Sequence, residues 1–354
     1  MPAELVVALF AGALLGGSAH RAGLCTVKAV AEVMTTGRGH ILGSFVKASL
    51  WTAGVLALLG VFGAPPALAV WPLGRIAPLG GLVFGVGARL NGACSFSTLS
   101  RLAEGHLVMV FTLAGWLVGL GVVARALPGL HVPAAPRHLP WVVILPLAAW
   151  MGWETRRVFQ RLRGGAWPLH RARHWPLSVA VFPVALSFIA LVAVGRPWSF
   201  TSSAICLADA GPLGACVSPG TLWAVSAAAF GAMALSARLR GSARARPIRP
   251  RAAARHLGAG TIMGLGAGLI PGGNDGLVLF GLPATSPTAL PAWLSIVAGN
   301  FAALWTMRRV GGRVPEIRCT ADICRADLYR ARHVGHRQGS KQRTNTMTGK
   351  PTSP

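Results

Sequence analysis

Carboxylates are the scarcest charged groups in this sequence: 9 Asp and Glu stand against 34 Lys and Arg. Charge as a whole is thin, at 12% of 354 residues, where a soluble domain carries about a quarter. With 53% hydrophobic residues, this excludes an ordinary soluble domain and predicts a polytopic membrane protein. Tyrosine occurs once, so no interleaved aromatic and basic surface supports a nucleic-acid partner, despite a net charge of +25. There is no G-x-x-x-x-G-K-S/T loop, no His-Glu-x-x-His pair and no acidic pair within an apolar run. ATP-driven pumping and metalloprotease chemistry are unsupported within the chain, and we expect no enzyme activity, no cofactor and no metal. Six cysteines in such a chain are not a disulfide framework and are judged one by one.

Long hydrophobic runs are present in abundance. They cover about 3–20, 41–63, 78–92, 107–127, 140–154, 176–195, 219–237, 256–270 and 288–307. A full crossing needs roughly 20 residues, so 78–92, 140–154 and 256–270 are short. The N-terminus lacks a positive n-region, its only early charge being Glu4, and reads as a retained first span. Nine crossings are expected.

The basic residues sit between the runs. Link 155–175 carries Arg156, Arg157, Arg161, Arg163, Arg171 and Arg173; link 238–255 carries seven Arg; the tail after Met307 carries eleven Lys or Arg. Placing all three in the cytoplasm leaves the outer links with one basic residue each: Arg75, Arg137 and Arg196. The N-terminus is then periplasmic and the C-terminus cytoplasmic. Residues 1–310 read as one transport domain, and the basic tail 311–354 is expected to be disordered.

The halves resemble each other. Gly80–Ala88 matches Gly258–Ala267, Asn91-Gly92-Ala93-Cys94-Ser95 meets Pro271-Gly272-Gly273-Asn274-Asp275, and Arg21…Cys25-Thr26 meets Arg196…Phe200-Thr201. The pattern predicts an all-α fold of two inverted repeats, about 3–127 and 176–307, joined by a linking helix at about 140–154. Four short re-entrant segments are expected at 21–39, 93–105, 196–210 and 271–285. Broken helices in inverted halves are how transporters expose backbone to a solute.

Chemistry concentrates at the breaks. Cys25 is flanked by Arg21 and Lys28, and Cys94 by Arg89 and Arg101. Cations and helix N-termini favour thiolate and attract anions, whereas a free cysteine in an apolar helix is commonly just a small apolar residue. Arg21 and Arg196 either face a cavity or snorkel to the interface; for Arg89 the interior is favoured. Asn274-Asp275 either caps a short helix or contacts solute. Cys206 and Cys216 share the outer link, where a disulfide is chemically open. Cys319 and Cys324 lack the second pair of a metal site and read as incidental, with a redox role as the other reading.

The motifs G-x-x-x-R-A-G-L-C-T and G-x-G-A-R-L-N-G-A-C-S, with the second-half repeat, resemble the YeeE/YedE family of sulfur transporters over about residues 3–310. The resemblance implies a bacterial inner-membrane protein of hourglass shape that takes up thiosulfate along a path of cysteines. Its first and second relay cysteines match Cys25 and Cys94. The family's third cysteine, in a G-G-C motif, is replaced here by Asn274. An amide still donates a hydrogen bond to an oxyanion, but the relay of three thiols is lost, so the solute is thiosulfate or a related sulfur anion. The partners expected are that anion, the bilayer and a cytoplasmic sulfurtransferase. Two other readings stand beside this one: a covalent sulfur relay on Cys25 or Cys94, and a transporter-derived structural or sensing protein.

Overall fold

Apolar runs of this length satisfy their backbone polar groups only by forming helices, and the computed structural model is helical throughout, with no strand among the described residues. Those are residues 3–61, 70–127, 130, 141–163, 175–195, 198–208, 219–270, 272–312 and 314. In order the elements are α1 (Ala3–Ala22), α2 (Thr26–Thr36), α3 (His40–Val61), α4 (Ala77–Asn91), α5 (Ser95–Ala103), α6 (Met109–Ala126) and α7 (Trp141–Arg163). There follow α8 (Leu177–Ala193), α9 (Phe200–Leu207), α10 (Pro219–Leu239), α11 (Pro250–Leu269), α12 (Gly273–Gly276), a π-helical turn (Leu277–Gly281) and α13 (Ala289–Arg309).

Each of the nine apolar runs lies on one of these helices. Two helices outrun their apolar stretch: α7 continues from 154 to Arg163 and α11 starts at Pro250 rather than 256. Arg, Gln and Ala are good helix formers, so the backbone ladder continues where apolar character stops. Proline at the head of α11 fits that position, because its missing N–H is unpaired there anyway. Among the described residues, five stretches are long and apolar enough to cross a membrane: Ala3–Thr36, His40–Val61, Met109–Ala126, Gly220–Leu239 and Ala289–Arg309. Leu177–Ala193 is a shorter apolar helix.

The long helices pack in two rows. In one, α6 lies on α11, α11 on α4 and α4 on α13; in the other, α10 lies on α1, α1 on α8 and α8 on α3. Small residues let the backbones meet. A Cβ on Gly266 would come within 2.3 Å of the Phe84 backbone nitrogen, and one on Gly16 within 2.2 Å of the Ala229 carbonyl. Without a hydrophobic drive between helices in lipid, such approaches supply the packing. The short helices fill the space where the rows face each other: α5 touches α1, α6, α9, α10 and α12. Outward faces stay apolar, with Phe10, Val142, Leu145, Val118 and Leu294 all exposed. Such a belt is a liability in water and is the surface a bilayer requires.

Candidate functional site

Two breaks place a cysteine at the same local position. α1 stops at Gly23 (φ 63°) and α4 at Gly92 (φ 75°), left-handed conformations that glycine adopts without a Cβ clash. Two residues on, the backbone is extended at Cys25 and at Cys94, the N-caps of α2 and α5. Neither side chain closes a cap hydrogen bond, as expected of sulfur, a weak acceptor. Both thiols are free and buried. The Cys25 sulfur lies beside the thiol and amide of Cys94, and the Cys94 sulfur beside the amides of Thr26 and Ser97. The Ser97 hydroxyl donates to Cys25 Sγ at 3.2 Å. Two thiols and the heads of two helices therefore form one group, a setting that favours an anion. The Thr26 hydroxyl, fully buried in the same group, has no partner.

Asn91 fixes the Cys94 turn. Its amide donates to the Ala93 carbonyl (3.0 Å) and to Thr98 Oγ1 (2.9 Å), while its Oδ1 accepts from Thr112 (2.7 Å) and lies 2.7 Å from His256 Nδ1. Thr98 in turn donates to the Cys94 carbonyl at 2.9 Å. All four hydrogen-bonding valences of a buried side chain are used to hold one turn.

The second-half break meets the first. Gly272 (φ 76°) and Gly273 (φ 63°) are both left-handed, and a Cβ on Gly273 would lie 2.7 Å from the Thr201 side chain. Ser199 caps α9 through a capping box with Ser202, and Asp275 adds an acceptor to the same turn, taking hydrogen bonds from the Thr201 amide (3.0 Å) and the Thr201 hydroxyl. Ser95, next to Cys94, donates to the same carboxylate at 3.3 Å. Asn274 is buried, and neither its Oδ1 nor its Nδ2 has a partner. The π-helical turn that follows leaves the Val278 carbonyl to accept from Ser49 Oγ at 2.8 Å.

Arg21 is buried at the end of α1, and its Nε donates to Ser236 Oγ at 2.8 Å. Beside it, His20 Nε2 and Arg240 Nη2 each lie 3.5 Å from Glu104 Oε1, the outer limit for a hydrogen bond. Arg89 is also buried, and its Nε is unpartnered. Arg196, Pro271, Cys216, Cys319, Cys324 and the tail from 315 lie outside the described residues. Cys206 is disulfide-bonded. Among the described residues no group of three or more His, Cys, Asp or Glu is placed to hold a metal ion.

The structure thus brings together Cys25 and Cys94 and sets the Asn274 segment against them through the Ser95–Asp275 bond. Sequence reasoning passed over Thr26, Ser97, Asn91 and His256. Asn91 stood in the repeat motif, which was the available signal. Thr26 stood there too, paired with Thr201, whereas Ser97 is a common residue in helix first turns and carried no signal.

Comparison with known families decides the affiliation. The family model for sulphur transport matches residues 21–302, more than half of the chain. The chain belongs to this family. Its other name is YeeE/YedE, the family whose cysteine motifs the sequence resembles. No curated protein matched the sequence. The matched stretch contains Arg21, Cys25, Arg89, Cys94 and Asn274, so the paired breaks lie within the family's shared part. Family membership assigns a role in sulphur transport, and the apolar helices make the chain a multi-pass membrane protein.

Proposed function

We propose that the chain is a permease for thiosulfate or a related sulfur anion, with Cys25, Cys94 and Asn274 lining a central constriction. The observation that carries this reading is the buried group at the helix breaks. It offers two thiols, the Thr26 hydroxyl and the Asn274 amide without a protein partner for the oxygen and nitrogen donors. A neutral S–H is a weak donor, so the anion is contacted without being trapped, as a conducting site requires. Arg21, Arg89 and Arg196 supply the attraction along the path.

The path lies, on this reading, between two inverted repeats that give an hourglass. Supporting it, each row of long helices maps onto itself in reverse when α1 is exchanged with α8, α3 with α10, α4 with α11 and α6 with α13. Ser95 and Asp275 are equivalent residues in the two halves, and they bond to each other. Equivalent residues touch only near a two-fold axis. The chain is placed in a bacterial inner membrane with its N-terminus periplasmic. Arg157 stacks on Trp153 and Arg309 on Trp305, at centroid distances of 4.6 and 4.8 Å, near the ends of α7 and α13 assigned to the cytoplasm. Aromatic and basic pairs of this kind mark membrane interfaces.

The test is growth of a thiosulfate-uptake-deficient bacterium on thiosulfate as sole sulfur source. The chain should restore growth, Cys94→Ala should abolish it, and restoration by the alanine variant would remove Cys94 from the path. The adjacency of the two thiols also favours a covalent variant: a thiolate attacks the sulfane sulfur of thiosulfate, forms a persulfide and releases sulfite. Mass spectrometry of the purified protein after thiosulfate exposure separates the two, because uptake without any persulfide belongs to non-covalent passage.

A further inference from the structure

Three arginines on α4, α5 and α11 lie close enough that the charges of Arg101 and Arg255 both act on Arg89. Arg89 lies in the last turn of α4, Arg101 in the last turn of α5 and Arg255 in the second turn of α11. The Arg101 guanidinium hangs over the Cys94 break: a Cβ on Gly92 would lie 3.4 Å from its Nη1. Arg255 precedes His256, whose Nδ1 is 2.7 Å from Asn91, and its charge, like that of Arg101, acts on Arg89. The exposures are graded. Arg89 is buried, Arg101 half-buried and Arg255 exposed. The three form a ladder from the break out to the face that carries the α10–α11 link.

Nothing in the described part of the protein neutralises them. No carboxylate there forms an ion pair with Arg89, Arg101 or Arg255; the nearby Glu104 is engaged by His20 and Arg240 instead. The Arg89 Nε, fully buried, has no hydrogen-bond partner. An unsatisfied buried donor costs about 1–3 kcal/mol, more on a charged group, and like charges nearby add to that cost. A buried charge persists in such a place when a ligand supplies its counter-charge.

We propose that Arg89, Arg101 and Arg255 form an exit site for a doubly charged tetrahedral oxyanion, separate from the thiol constriction. The inference rests on the transport reading above for its direction, not for its chemistry. Guanidinium forks match the oxygens of such an anion, sulfate and thiosulfate alike. An anion passing Cys94 exchanges weak thiol contacts for the charge of Arg89. It then passes through Arg101 to Arg255, where water and salt screen the attraction and let it go. The phosphate of an anionic lipid headgroup has the same tetrahedral chemistry, and the test separates the two sources.

The test is equilibrium dialysis of radiolabelled thiosulfate against the full chain in phosphatidylcholine nanodiscs. Cys94→Ala should retain binding. Adding Arg101→Gln and Arg255→Gln should weaken it tenfold or more, since each charge-assisted hydrogen bond is worth about a factor of ten. Both added positions are half-buried or exposed, and R255Q alone, expected to lower affinity severalfold, serves if the combined variant fails to fold. Unchanged affinity in R255Q and the combined variant overturns the site, as does absence of binding to C94A. Discs containing phosphatidylglycerol form the second arm. Anion binding that vanishes there assigns the arginines to a headgroup and overturns the exit role. If the chain fails to restore growth on thiosulfate while this binding pattern holds, the transport reading fails and the anion site stands.

Discussion

At the scale of single residues, the site is governed by who satisfies whom. Asn91 is fully paired and Asn274 is not paired at all, although both are buried asparagines at repeat-related breaks. The first is a structural strut and the second is free to serve a ligand. Asn91→Ala strands the donor on Thr112 and leaves Thr98 and the Ala93 carbonyl without their shared partner. Each buried group left unsatisfied costs about 1–3 kcal/mol. The variant should melt several degrees lower in detergent. With the turn loosened, alkylation of Cys94 should be faster than in the parent, where the thiol is buried. Unchanged melting and unchanged alkylation would show that the turn is held by its backbone alone.

At the scale of elements, the helices were legible where the bilayer demands apolar length. The run at 107–127 became α6 (Met109–Ala126), and that at 288–307 became α13 (Ala289–Arg309). The ends of α7 and α11 were not legible, because apolarity measures where lipid stops and not where backbone hydrogen bonding stops. The short helices were visible as breaks through Gly23, Gly92 and Gly272-Gly273. The local cap of α9, the Ser199–Ser202 capping box, lies in the sequence, but the carboxylate that takes the Thr201 amide in the same turn comes from Asp275, 74 residues downstream, and was not legible. Glycines divide by what surrounds them. Gly266→Ala puts a Cβ into the Phe84 backbone and forces α4 and α11 apart, costing about 1–3 kcal/mol. Gly258→Ala, eight residues earlier in α11, meets nothing within 4 Å and should be neutral or gain up to about 1 kcal/mol from helix propensity. Equal melting temperatures for the two variants would sink the packing account. Glu104 ties α5 to α1 and α10 in the turn before α6. Burial pushes its carboxyl up, but the His20 contact, then Arg240 and Lys28, outweigh that and hold it at about 2. Its folded pKa lies below the usual 4.5, so its stabilisation is present above about pH 4.5 and is lost as pH falls towards 2. Melting followed across that window should fall more steeply in the parent than in Glu104→Gln, and parallel profiles would remove Glu104 from the link.

At the scale of the whole molecule, the proposed count of nine crossings, an odd number, predicts termini on opposite faces of the membrane. The shortest of the helices counted as crossings is α4, whose 15 residues span about 22 Å at 1.5 Å per residue, short of a hydrocarbon core of roughly 30 Å. A lone helix of that length would lie in the interface. Here α4 is enclosed by α11 and α13 and is continued by the Gly92 turn and α5, whose polar backbone faces protein and not lipid. Non-helical backbone at membrane depth is tolerated only under that condition. On the proposed topology the α4–α5 pair therefore does the work of one crossing, and the expected nine crossings predict the two ends on opposite faces. A fluorescent protein that matures only in the cytoplasm should glow when fused after residue 312. A cysteine added ahead of Ala3 in a cysteine-free variant should react with a membrane-impermeant maleimide on intact spheroplasts. Labelling at the N-terminus only after lysis, with the C-terminal fusion still fluorescent, would place both ends on one face. The α4–α5 pair would then be a re-entrant loop, and the two halves of the chain could not be inverted copies.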